Sequence, residues 1–103
     1  MKTRSEIDID FKAMMRQAER LEELASDMEN LSKSSLDSTL QNIALNWKGE
    51  NANLYLGKGD RLKGNIMTTA RELKQIAENI KAKARYIYSK EMEALRIAQR
   101  RTY

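Results

Sequence analysis

The sequence predicts an all-α chain folded as a two-helix antiparallel hairpin. Three observations carry that expectation. The 103 residues include no proline and only four glycines, so few positions interrupt a helix. Apolar side chains recur at steps of three and four through both halves, which is the period of a helix face. The one stretch that reads as a tight connection, Asn46-Trp-Lys-Gly-Glu-Asn51, lies at the midpoint.

The first helix is expected over about residues 10–44. Asp8 or Asp10 can cap it, and Ser5 with Asp8 offers a weaker capping box just upstream. Two columns spaced by seven run along it: large Met14, Leu21 and Met28, and small Ala18, Ala25 and Ser32. The stretch Leu31-Ser-Lys-Ser-Ser35 holds weaker helix formers, after which Leu36, Leu40 and Ile43 resume the pattern. The turn is expected at about 45–51. There Gly49 can take a positive φ, and Asn46 or Asn51 can cap the second helix.

The second helix, about 52–100, repeats the design. Ile66, Leu73, Ile80, Ile87 and Ala94 form one column, with Ala70, Ala77 and Ala84 beside it. Such seams pack helices at shallow angles, and alanine lets the backbones approach closely. Gly57, Gly59 and Gly64 each cost about 1 kcal/mol against alanine in a helix. Asp60 can cap a fresh start, so the helix is open to a kink at 57–59.

Composition excludes much. With no Cys and no His there is no disulfide, no thiolate or imidazole ligand, and no histidine general base. Glu22-Glu23 and Glu91-x-Glu93 read as solvated charges, so no catalysis, metal or cofactor is expected. No apolar run approaches a membrane span, and no apolar stretch comes after Met1-Lys-Thr-Arg4, so neither membrane insertion nor a cleaved leader is expected. Residues 1–51 carry 7 basic and 10 acidic side chains and residues 52–103 carry 12 and 5, a balance of −3 against +7. Unlike halves suit two elements laid side by side. Lys81, Lys83 and Arg85 step by two and spread around the helix, so they do not form a phosphate-tracking stripe and nucleic acid is not the expected partner.

A turn centred near residue 48 pairs Leu24 with Leu73 and Asp10 with Tyr86. It also brings the acidic row Glu19, Glu23 and Asp27 near Arg71, Lys74 and Lys81. Residues from about Ile87 onward, including Met92, Leu95 and Ile97, then overhang the first helix. A lone hairpin has one inter-helix face, so Met15, Leu24, Leu31, Leu36 and Trp47 need another surface, as do Ile87, Met92 and Leu95 in the overhang. A dimer or hetero-complex forming a four-helix bundle is the expected assembly.

With Trp47-Lys48-Gly49 in the inter-helix turn of a chain of this length, the sequence resembles the WXG family of small type VII secretion proteins, the early-secreted-antigen-like hairpins. The resemblance spans nearly the whole chain. It implies a non-enzymatic four-helix dimer, present in the cytoplasm and then exported through an ATPase-driven machine. It also implies that Trp47 and Gly49 are the turn motif beside the groove that machine reads. The family's C-terminal signal, a tyrosine with an acid four residues later, is not matched: Lys90 stands at that distance from Tyr86 and Met92 from Tyr88. Tyr88 and Glu91, three apart, offer a variant, with Tyr86 and Glu93 beside them. The basic segment 87–103 is similar to that of the small companions of LXG toxins in Gram-positive bacteria. This implies an LXG-type toxin, or another WXG-like small protein, as partner and a composite export signal. A homodimeric secreted substrate is the alternative.

Overall fold

The computed structural model describes residues 1–101; Thr102 and Tyr103, the end of the basic C-terminal segment, lie outside the described residues. The first arm consists of α1 (Arg4–Asn30), a π-helical segment (Leu31–Leu36) and α2 (Asp37–Asn46). The second arm is α3 (Glu50–Arg101), and the two form an antiparallel hairpin. The described residues contain no strand.

The first helix begins earlier than Asp8 or Asp10 would set it. Thr3 is the cap: its hydroxyl accepts the Glu6 N–H at 3.2 Å and donates to Glu6 Oε1 at 3.1 Å, while the Thr3 N–H reaches the same carboxylate at 3.4 Å. Thr3-x-x-Glu6 is thus a capping box, which satisfies amide groups that the first turn leaves without partners. The other end of this arm closes with the Trp47 N–H donating to the Ile43 carbonyl at 2.8 Å.

Trp47 is extended (φ −121°, ψ 133°), which takes the chain out of the helix. Gly49 has φ +114°, a conformation that costs a residue with a Cβ, and its carbonyl accepts the Asn53 N–H at 3.1 Å to start α3. Asn46 does not cap α3. Its amide donates backward to Asn42, to the backbone carbonyl at 3.0 Å and to Oδ1 at 2.9 Å.

The second arm continues through Gly57 and Gly59 as helix. Gly59 has a packing reason to lack a side chain, because a Cβ there would overlap the Leu40 side chain. The helical cost of that glycine is offset by the buried leucine it admits.

The chain divides into two compact units, 1–21 with 75–103, and 22–74. In the first, Ile7, Ala18, Ala77 and Ala84 are buried. Phe11 packs on Tyr88 with ring centroids 5.0 Å apart, and Lys2 bridges Asp10 (2.7 Å) and Glu91 (2.9 Å). The carboxylates hold the Lys2 ammonium well above the ordinary lysine range, Asp10 most strongly. Phe11 of α1 and Lys2 just before it thus engage Tyr88 and Glu91, and Met92 and Leu95 are half-buried, so the expected overhang does not begin at Ile87.

In the second unit Ala25, Ser32, Leu40, Ala52 and Ala70 are buried. Ser32 satisfies its hydroxyl by donating to the Lys63 carbonyl at 3.4 Å. The small columns at spacing seven are therefore the seam. The large residues beside them, Met14, Leu21, Met28, Leu73 and Ile80, are half-buried along its edges.

Candidate functional site

Two surfaces of unit 22–74 stand out, the turn and one flank of the seam. At the turn, Trp47 stays 55% exposed although it is the largest apolar ring in the chain. It leans on Tyr55 from the first turns of α3, with centroids 5.7 Å apart and planes inclined at 43°. Lys48, Asn51, Leu54 and Lys58 complete a groove around this pair. Trp47 also borders a second groove with Thr39, Asn42, Ile43 and Asn46 of α2. One ring thus borders two clefts, held there by the extended backbone at Trp47 and the positive φ at Gly49.

The flanks of the seam differ in chemistry. Successive helix residues point about 100° apart, so Leu62 and Lys63 fall on opposite sides of the column that runs from Gly59 to the buried Ala70. On the Lys63 side, ion pairs close the seam: Lys63 with Asp37 at 2.7 Å, and Lys74 with Glu29. Lys74 thus meets Glu29, not Glu23 of the expected acidic row. Glu29 lies four residues after Ala25 and three before Ser32, on the seam edge, whereas Glu19, Glu23 and Asp27 are exposed on the outward side of α1.

On the Leu62 side, among the described residues, the lining of the groove holds no charged side chain. Leu31, Ser35, Leu36, Thr39, Leu62 and Ile66 line an apolar groove. Leu31 and Leu62 are each 51% exposed, and Leu24, seven residues before Leu31, is 50% exposed.

Of the other residues that the sequence points to, Met15, Leu36, Met92 and Leu95 are half-buried, and Ile87 is exposed. Tyr88 and Glu91 are both engaged by the N-terminal segment, through Phe11 and Lys2. Tyr86 and Glu93 form a separate exposed cluster joined by Lys90, whose ammonium lies 5.7 Å from the Tyr86 ring centre and 3.9 Å from Glu93. Leu62, Leu54 and Tyr55 escape the reading of the sequence, although the steps of seven from Tyr55 through Leu62 and Thr69 to Ile76 are a signal for this flank. Among the described residues, no group of Asp and Glu is placed to hold a metal ion, and no helix is long and apolar enough to cross a membrane.

The ion-paired flank makes stability depend on acid. The hydrogen bond from Lys74 holds the Glu29 carboxyl below the ordinary carboxylate range, with Lys33 and Arg71 adding to the field. A carboxyl depressed in the folded state contributes stability that is present above its unfolded pKa and lost as pH falls through its folded one. Urea unfolding below the ordinary carboxylate range should therefore show a falling midpoint that Glu29→Gln makes shallower. An identical acid limb in both chains would show that this pair contributes nothing. Lys63 is raised by its bond to Asp37, so its contribution is present at neutral pH and disappears only in strong base.

Comparison with known proteins gives one match. The family WXG100, described as "Proteins of 100 residues with WXG", matches residues 6–91. The chain belongs to the WXG100 family of small helical proteins of type VII secretion. These are non-enzymatic secreted proteins that work as substrates or helpers together with other small proteins and the type VII machinery. Comparisons with curated proteins and with solved structures return no match.

Proposed function

We propose that the chain is a targeting helper in type VII secretion that binds the helical N-terminal domain of an LXG-type toxin and contributes part of a composite export signal. The observation that carries this reading is the open apolar flank of unit 22–74. Its sides are built from facing helices, as a docking helix requires, and its opposite flank is already sealed by ion pairs. Leu24, Leu31, Leu36 and Leu62 meet the partner helices, giving a four-helix arrangement. In the other unit, Met15, Ile87, Met92 and Leu95 supply partner contacts of their own.

Trp47 and Gly49 then present the turn to the secretion ATPase. The exposed Tyr86 and Glu93 contribute the C-terminal part, with Tyr88 and Glu91 beneath them held by Phe11 and Lys2. The chain assembles in the cytoplasm and leaves with its partner. The departure from the family's tyrosine-and-acid spacing favours a helper over a self-sufficient substrate.

Co-expression with an LXG protein from a neighbouring gene tests the reading. A stoichiometric complex is expected, with export of the toxin lost when this chain is deleted. A tight homodimer that ignores the toxin domain and is exported alone would instead establish the homodimeric-substrate reading.

A further inference from the structure

We infer that the π-helical segment Leu31–Leu36 is a register device: it takes up one residue more than the seam needs, and so sets the rotation of α2 and of the Trp47 turn. The buried positions on the first arm count it out. Ala18, Ala25 and Ser32 are seven apart and fully buried. Continuous α-helix would put Thr39 next in that column. Thr39 is exposed, and Leu40, eight residues after Ser32, is buried instead.

A π turn, bonded to the fifth residue rather than the fourth, holds about one residue more than an α turn. Six residues of π-helix therefore absorb the extra one and return Leu40 to the column.

Both ends of the segment are pinned to the same place on α3. The Ser32 hydroxyl donates to the Lys63 carbonyl, and the Asp37 carboxylate holds the Lys63 ammonium at 2.7 Å. One turn further towards the hairpin end, Leu40 lies on Gly59, so that a Cβ at that position would displace the leucine side chain. The side chains of the segment suit a widened helix: the Ser34 hydroxyl donates to the Asn30 carbonyl and the Thr39 hydroxyl to the Ser35 carbonyl, a back-bonding that loosens α geometry.

The consequence reaches the turn. With the same residues wound as α-helix, α2 would be rotated by about 100° relative to α1. Leu40 would leave Gly59, Asp37 would leave Lys63, and the cleft of Asn42, Ile43 and Trp47 would open in a different direction.

The device is tested by changing residue count in the full-length chain and monitoring urea unfolding by circular dichroism. Deleting Ser34 removes the surplus residue, so the midpoint should stay the same or rise. Gly59→Ala should lower the midpoint equally in the parent and the deleted chain, with Leu40→Ala relieving it in both, because Leu40 still faces position 59. Trp47, the only tryptophan, should keep its emission maximum on deletion. Adding an alanine after Ser34 should lower the midpoint. The inference is overturned if the deletion costs as much as Leu40→Ala, if Gly59→Ala becomes harmless in the deleted chain, or if insertion is tolerated as well as deletion.

Discussion

Replacing Ala77 by leucine is expected to cost about 2–3 kcal/mol of hairpin stability, the upper part of the range for overfilling a packed core. Ala77 is 0% exposed, and Ala70 and Ala84, one heptad to either side, are buried to the same degree. A seam made of methyl groups is close because nothing larger stands in it. A leucine there must either push the helices apart along several turns or twist into an unfavourable rotamer, and both exact a cost. Ala82 supplies the control, since it is exposed on the same helix and Ala82→Leu should stay within about 0.5 kcal/mol. Urea unfolding at constant m-value reads the difference. Equal midpoints for the two variants would mean that the alanine column is not a close contact.

That seam is legible in the sequence, because spacing by seven and small size are both properties of sequence. Gly49 is legible for the same kind of reason: a short connection between helices needs a positive φ somewhere, and only one residue in the turn accepts it at low cost. What the sequence hides depends on the other arm. Gly59 looks like a helix breaker until Leu40 is seen to lie on it, and the pairing of Lys74 with Glu29 depends on which side of α1 faces α3.

The start of α1 is a different kind of miss. Thr3-x-x-Glu6 is present as a capping box, but the aspartates downstream make a louder signal. The π segment is visible in sequence only as a run of weak helix formers. Its meaning, one surplus residue, appears when the buried position after Ser32 proves to be Leu40.

The site divides along the same line. Trp47 is conspicuous as the sole tryptophan beside a turn glycine, and its exposure comes from the extended backbone there. Leu31 and Leu36 are recognisable as outward apolar residues. Their neighbours across the groove are not: Ile66 reads as part of a heptad column, and Leu62 stands out in no pattern of its own half. A groove made of two arms requires knowing which side of each arm faces the other, and the turn alone does not supply that. Tyr88 and Glu91 show the converse. Their spacing on one helix face is readable, but their engagement is not: Phe11 reaches Tyr88 only in the observed pairing of the arms, and Lys2 lies ahead of any helix capped at Asp8 or Asp10.

The double substitution Leu31→Lys and Leu62→Lys is expected to weaken binding to the partner's helical domain by about 100-fold while leaving the hairpin itself nearly unchanged. Both side chains are half in solvent already, so the isolated chain loses little, within about 0.5 kcal/mol for each exposed site. In the proposed complex the same two positions line the groove, where two lysine ammoniums replace apolar contacts and must give up water, while the carboxylates of the opposite flank, Asp37 and Glu29, are committed to Lys63 and Lys74. Central residues of a docking surface each contribute about 2 kcal/mol when they matter, and two of them exceed a hundredfold in affinity before non-additivity is allowed for. Charge reversal on the outward face, Glu19→Lys with Glu23→Lys, changes net charge by more and should bind almost as the parent does at moderate salt. Isothermal titration of both double variants against the partner's N-terminal domain separates the two surfaces. Equal affinities would move the docking face away from Leu31 and Leu62, whereas selective loss in the lysine pair means that the unsealed side of the seam is where the partner lies.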